Sequence, residues 1–177
     1  MRVFYGLIIT AVILMIGACA LKAYKKEGAL ARVVFLYELG AFICGIIFLV
    51  YTYVPGTTIT VLCKGLIMAS FDWLLVLLMY YTQYYTGMFK GVMGVKVFMI
   101  AYSLLETVAF LVNTWTRWIF DITDISDDQI IVQFAKGNVL GRLHYVFAYG
   151  IMLMLILSYR VMVERMSRFY RFRYFAI

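Results

Sequence analysis

Four ionisable side chains lie inside long apolar stretches, and these residues are the ones in this sequence most able to do chemistry. They are Glu38, Lys64, Asp72 and Glu106. A charge placed in hydrocarbon costs at least about 2.5 kcal/mol on insertion scales, so such residues mark pairs, binding sites or ion paths. Lys64 and Asp72 are about 12 Å apart along one helix axis and cannot pair directly. Each therefore needs a partner on another helix.

The depths of Lys64 and Glu106 predict an ion pair between them. Counted from the outer end of their helices, Lys64 lies about 8 Å deep and Glu106 about 14 Å deep, a difference that a lysine side chain can span. Asn113 follows Glu106 by two helical turns on the same face. The candidate ligand-binding residues of this outward-facing polar pocket are Lys64, Glu106, Asn113, Arg142 and His144. Glu38 and Asp72 are further polar residues within the membrane.

Three roles remain open for these polar residues: orienting helices within a bundle, binding a ligand, or forming a proton or ion path. Catalysis is not predicted, because no nucleophile and base share a segment. One histidine excludes bis-histidine haem ligation, and no His, Cys and carboxylate cluster is evident for a metal. The three cysteines, at positions 19, 44 and 63, have no paired spacing. We therefore expect no catalytic residue, no metal and no cofactor.

The composition requires a membrane environment. Of 177 residues, 66% are hydrophobic and 14% are charged, which excludes both a soluble domain and a disordered chain. A helix needs about 20 apolar residues to cross the hydrocarbon core. The predicted spans are 3–21, 33–54, 59–81, 97–115 and 142–163, with a polar loop at 116–141. The sequence thus predicts one all-α domain, a polytopic bundle of five transmembrane helices.

The distribution of basic residues predicts the orientation of this bundle. Most of the sixteen lysines and arginines lie after the first and third spans and in the C-terminal tail, whereas the loop at 116–141 is acidic. Because basic residues near helix ends stay in the cytoplasm, we expect the N-terminus outside and the C-terminus inside. This pattern explains the net charge of +7 without a nucleic-acid partner.

The acidic loop itself carries little evidence of a binding site. Its DITDISDD segment lacks the glycine and the distal glutamate of an EF-hand calcium loop. The residues that follow, Gln129 to Phe134, have the composition of a strand. We expect a short hairpin that caps the bundle.

Three segments resemble a known family. They are Asp72 to Gly87, Leu111 to Ile122, with Asn113 near the end of the fourth helix, and Gly141 to Tyr149. Together they resemble the N-terminal seven-helix sensor region of bacterial histidine kinases and diguanylate cyclases, of which this chain would supply the first five helices. In that family, two further helices and a cytoplasmic signalling domain would follow residue 177. The resemblance therefore implies either a part of a longer protein or a shorter relative of the family. It transfers no catalytic residue and names no stimulus.

The function expected from these observations is a sensory input module in the bacterial cytoplasmic (inner) membrane. Its partners would be the lipid bilayer, a small-molecule or membrane stimulus, and a second copy of the chain in a homodimer. A small transporter or a structural subunit of a membrane complex is the alternative. Transporters commonly show helices interrupted by Gly or Pro at membrane depth, whereas the single proline here lies in a connection.

The predicted orientation can be tested by cysteine labelling with a membrane-impermeant reagent added from outside. We expect a cysteine placed at Asp127 to be modified and one placed at Lys26 to be protected, because the lipid bilayer separates the two connections. The chain without an added cysteine measures the background from the native thiols. The reverse labelling pattern would overturn the orientation.

Overall fold

Five helices and a two-stranded hairpin make up the computed structural model, which describes residues 2–86, 93–125 and 130–165. The helices are α1 (Arg2–Tyr24), α2 (Ala29–Tyr53), α3 (Thr57–Thr86), α4 (Met93–Thr116) and α5 (Val139–Arg165). The strands are β1 (Phe120–Ile125) and β2 (Ile130–Phe134). All five helices are long and apolar enough to cross a membrane. The expected helical architecture with five candidate membrane spans is therefore confirmed, and such helices imply contact with a lipid bilayer.

Most of the helices extend beyond the predicted apolar runs, because a helix can continue through residues that are not apolar. In α3 the predicted span ends at residue 81, yet the helix continues to Thr86. There the Thr82 hydroxyl donates a hydrogen bond to the Leu78 carbonyl at 2.8 Å, which satisfies a polar group within the helix. Hydropathy therefore located the spans but not their ends.

The connection between α2 and α3 is set by its turn residues. Pro55 cannot continue a helix, and Gly56 adopts a φ of 139°, a conformation that glycine accepts without strain. The Gly56 carbonyl then accepts the first bond of α3 from the Thr60 amide at 2.9 Å. Two antiparallel helices follow from this short connection.

Helix α3 is central to the packing. Helix α1 packs on α2, α2 on α3, and α3 contacts both α4 and α5 as well as strand β2. No residue of α2 is fully buried. The outward side chains of α4 and α5, among them Leu104, Leu105, Val146 and Leu153, are exposed and suited to lipid tails.

Two apolar clusters fill the interior of the bundle around α3. One contains Leu75, Met79 and Met99 with Phe147 and Ile151. The other lies toward the hairpin and contains Val61, Ala69, Phe110, Phe120 and Val132. Asp72 of α3 lies between Ala69 of the second cluster and Leu75 of the first, and Glu106 of α4 lies between Met99 of the first and Phe110 of the second. Any polar site between them is enclosed by apolar packing on both sides.

The predicted hairpin is present. Strands β1 and β2 pair antiparallel, with Phe120 opposite Phe134 and an irregularity between Ile122 and Asp124. At its base, the Ala135 amide donates to the Ile119 carbonyl at 2.8 Å. Residues 126–129, which include Asp127 and Asp128 of the acidic loop, lie outside the described residues, as does the basic tail after 165.

Helices α3 and α4 approach each other closely at Gly65. A Cβ built on this buried glycine would lie 3.1 Å from the Phe110 carbonyl oxygen and 3.2 Å from the Phe110 Cβ. The neighbouring atoms belong to the backbone and the start of a side chain, so they cannot move aside easily. Glycine at this position therefore sets the distance between the two helices.

We expect Gly65→Leu to destabilise the protein by about 1–3 kcal/mol or more, because the side chain would force α3 and α4 apart. Thermal unfolding in detergent measures the effect. The matched control is Gly150→Leu on α5, where a Cβ meets nothing within 4 Å. Equal melting temperatures for the two variants would contradict close packing at Gly65.

Candidate functional site

Three titratable side chains from three helices meet inside the bundle. Asp72 of α3, Glu106 of α4 and His144 of α5 are all buried, and one ligand atom from each lies within 4.8 Å of the others. His144 Nδ1 is 2.9 Å from Glu106 Oε2 and 3.4 Å from Asp72 Oδ1. We refer to these three residues as the buried cluster.

The depth of the buried cluster follows from the positions of its members in their helices. His144 lies about 8 Å from the start of α5, and Glu106 lies about 15 Å from the end of α4. Both ends face the hairpin. Both helices are candidate membrane spans, so the cluster lies within their apolar lengths rather than at their ends.

A polar contact between α3 and α4 holds the two carboxylates at a common level. The Trp73 indole Nε1 donates a hydrogen bond to Thr107 Oγ1 at 3.0 Å. Each of these residues follows a cluster carboxylate directly in the sequence. The Thr107 hydroxyl in turn donates to the Ser103 carbonyl at 2.7 Å, which fixes its acceptor lone pairs toward the indole.

Glu106 is oriented by a tyrosine on its own helix. The Tyr102 hydroxyl donates to Glu106 Oε1 at 2.6 Å. The Tyr102 ring stacks on Phe147 of α5, with ring centroids 4.1 Å apart. One carboxylate oxygen is thus held by the tyrosine, while the other, Oε2, faces His144.

Aromatic rings separate the buried cluster from the hairpin side of the bundle. Phe110 and Phe134 pack around the His144 ring with centroid distances of 5.7 and 6.2 Å. Phe120 lies between them, 5.6 Å from Phe110 and 4.9 Å from Phe134. Because the rings of Phe120 and Phe134 come from the base of the hairpin, the hairpin helps to exclude water from the cluster.

The electrostatics of the buried cluster are unfavourable without a further cation. Two carboxylates at this separation repel by about 3–4 kcal/mol at an effective dielectric of about 20. An imidazolium would balance only one of them. Moreover, neither oxygen of Asp72 has a hydrogen-bond partner among the described residues, although the side chain is fully buried. A buried carboxylate without a donor is costly, so a proton or another cation is needed at this position.

The predicted ion pair between Lys64 and Glu106 is wrong. Among the described residues, Glu106 forms its ion pair with His144, and Lys64 is half-buried elsewhere on α3. The reason is rotational: the depth of a residue can be counted along a helix, but the face that it presents depends on packing. Asp72, which the sequence left outside the pocket, is the residue of α3 that faces Glu106.

The other candidate residues have separate locations. Arg142 is exposed on α5, and Glu38 is half-buried on α2. Asn113 is buried, and its Oδ1 accepts hydrogen bonds from the backbone amides of Ile119 and Phe120 at 2.6 and 3.4 Å. Asn113 therefore anchors the chain that leads into the hairpin. Asp72, Glu106 and His144 bring two carboxylates and an imidazole together across three helices, a grouping that no single segment of the sequence displays, and the absence of a bound metal stays a prediction.

Comparison of the chain with protein-family models, with curated proteins and with solved structures finds no match. Two carboxylates and an imidazole can exchange protons or coordinate a cation.

We expect Asn113→Ala to destabilise the protein by about 1–3 kcal/mol, because the buried Ile119 amide would lose its acceptor. Hydrogen exchange should accelerate at the amides of Ile119 and Phe120, and thermal unfolding in detergent gives the stability change. Thr116→Ala is the control, since that exposed hydroxyl bonds only within its own helix. Unchanged exchange at Ile119 would show that Asn113 does not anchor the hairpin.

Proposed function

We propose that this chain is a sensory input module of the bacterial cytoplasmic membrane, in which the charge or occupancy of the buried cluster sets how α5 packs against α3 and α4. The observation that carries the proposal is the meeting of charged side chains from three helices inside an apolar bundle. A change in one of these groups alters the interactions of all three helices.

The energies involved are large enough for a switch. Moving a two-state equilibrium from 1:99 to 99:1 takes about 5.5 kcal/mol. Removing one partner of a buried ion pair costs about 3–5 kcal/mol, whereas an exposed pair contributes about 0–1 kcal/mol. The exposed pair Arg160–Glu164 on α5 is of the second kind. The buried cluster is therefore the part of the described chain best able to bias two packings of the bundle.

Helix α5 is suited to transmit such a change. It packs on α3, and its contacts with α4 are made by long side chains, including the pairs Tyr102–Phe147 and Glu106–His144. Side-chain contacts of this kind can rearrange while each helix stays intact. The resemblance of three segments to bacterial sensor regions supports the same role, with a signalling domain and a second copy of the chain as proposed partners.

A proton or cation transporter is the alternative, and one observation favours it. Ion paths use buried carboxylates, and neither oxygen of Asp72 accepts a hydrogen bond among the described residues. A flux assay in liposomes separates the two functions: a transporter moves the ion, whereas a sensor binds it without net transfer.

The sensory proposal can be tested by joining the chain, after residue 177, to a diguanylate cyclase domain and measuring cyclic dinucleotide output in cells. We expect Glu106→Gln and His144→Gln to hold the output constantly high or constantly low, because each removes one titratable member of the cluster. Glu38→Gln is the matched control, since it removes an intramembrane carboxylate outside the cluster. Its output should match that of the parent.

A distance measurement examines the same proposal without an output domain. Spin labels at the exposed positions Leu36 of α2 and Leu157 of α5 lie toward the end of the bundle away from the hairpin. The cluster variants should shift this distance by about 2 Å, the size of the helix shifts that switching proteins use. If the distance and the output both stay unchanged, the cluster only orients helices and the proposed function fails.

A further inference from the structure

We propose that Asp72, Glu106 and His144 form a binding site for a divalent first-row transition-metal cation. Such a cation would be the stimulus of the proposed sensory module, and to that extent the inference rests on the proposed function. The binding itself is a property of the three side chains and can be measured separately.

The first support is the convergence of suitable ligand atoms. An imidazole nitrogen and two carboxylate oxygens lie within 4.8 Å of one another. Ligands at about 2.0–2.2 Å from zinc or a similar ion lie up to about 4.4 Å apart, so small side-chain shifts would bring all three to one ion. Since the three residues belong to three helices, the ion would join α3, α4 and α5.

The second support is Asp72, a buried carboxylate whose oxygens accept no hydrogen bond among the described residues. It is fully buried, and its Oδ1 lies 3.4 Å from His144 Nδ1. A buried carboxylate that accepts no hydrogen bond is costly, and a cation bound between Asp72 and the two other ligand groups would compensate its charge.

The charge of the cluster selects a divalent ion. With a neutral imidazole, the two ionised carboxylates carry a charge of −2. No lysine or arginine forms an ion pair with either carboxylate in the described part of the chain, where both carboxylates pair with His144. A divalent cation brings the buried site to neutrality, whereas a monovalent cation leaves one negative charge in an apolar interior.

The donor types select the class of metal. Imidazole suits zinc, iron and copper, and carboxylates suit manganese and magnesium, so one imidazole with two carboxylates fits zinc, manganese, iron(II) or cobalt(II). Calcium and magnesium prefer oxygen donors alone. Three protein ligands also leave a coordination position open.

Tyr102 is the positioning residue of this site. By donating to Glu106 Oε1, it leaves Oε2 directed toward His144. Its ring is held by stacking on Phe147, so the carboxylate starts from a fixed orientation. Partners that orient a metal ligand in this way change affinity by about 10–100-fold when removed.

The test uses the full 177-residue chain in lipid nanodiscs, with Cys19, Cys44 and Cys63 replaced by alanine so that thiols cannot bind the metal. Mn²⁺ and Zn²⁺ are the probes, with binding measured by calorimetry and by metal analysis after desalting. We expect one equivalent to bind. At a free concentration of about 100 times Kd, the melting temperature should rise by about 5–10 °C.

Asp72→Asn gives the sharpest comparison, because its two effects have opposite signs. Without metal, the variant should be as stable as the parent or more stable, since it loses an uncompensated buried charge. With metal, it should show no rise in melting temperature and at least about 100-fold weaker binding, more than the loss of an orienting partner. Glu106→Gln and His144→Gln should also lose the metal, and Tyr102→Phe should bind about 10–100-fold more weakly.

Two controls keep metal binding elsewhere from being mistaken for this site. Glu38→Gln and the pair Asp127→Asn with Asp128→Asn remove carboxylates outside the cluster and should bind like the parent. Equal binding by Asp72→Asn and the parent, or no binding by the parent at millimolar metal, would overturn the inference. In that case protons alone neutralise the cluster.

The same samples distinguish this inference from the proposed function. If the metal binds but the cluster variants change neither the distance between labels at Leu36 and Leu157 nor the cyclase output, the site stands and the sensory function fails. If the distance depends on the cluster variants but no metal binds, the sensory function stands and the metal site fails.

Discussion

The burial of two carboxylates and an imidazole inside an apolar bundle is the constraint on which the rest of the structure depends. Hydrocarbon offers no water to solvate Asp72 and Glu106, so their energies are set by the few groups that the fold places nearby. Each of α3, α4 and α5 contributes one member. The relative rotation of these three helices is therefore set by the need to bring their polar side chains into contact. The packing of α1 on α2 depends instead on apolar contacts and small residues.

The surroundings of the cluster combine rigid and adjustable contacts. On one side, Gly65 brings α3 and α4 into close backbone contact, and the hydrogen bond from Trp73 to Thr107 fixes their register. On the other side, α5 reaches the same site through the side chains of His144 and Phe147. A change in the cluster would consequently be absorbed by α5 rather than by the α3–α4 pair. The proposed signal would therefore pass along α5 rather than along α3 or α4.

Hydropathy and turn residues were sufficient to predict the architecture. The apolar runs located all five helices, and the strand-like segment ending at Phe134 located the hairpin. Both features depend on local composition, which a sequence displays directly. The ends of the helices were less predictable, because residues such as Thr82 satisfy their polar groups within the helix and let it continue.

The pairing of polar residues was harder to predict, for a geometric reason. Depth along a helix can be counted at 1.5 Å per residue, and it gave Lys64 as a partner for Glu106. Which face of α3 meets α4 depends on the close approach at Gly65 and on the side chains around it, and this packing favours Asp72 instead. The role of Asn113 was likewise hidden, since its bonds are to backbone amides of the following loop. A polar residue just before a helix end that leads into a strand is a signal for such an anchor.

The hydrogen bond between Trp73 and Thr107 also gives the protein an optical property. Of the three tryptophans, Trp115 and Trp118 are largely exposed, while Trp73 is half-buried with its indole nitrogen bonded across the α3–α4 contact. Indole emission depends on the polarity around the ring and on whether its N–H is bonded. With phenylalanine at positions 115 and 118, the remaining fluorescence would come from one residue adjacent to Asp72. Changes in the buried cluster can thus be followed by the intrinsic fluorescence of Trp73, without an attached label.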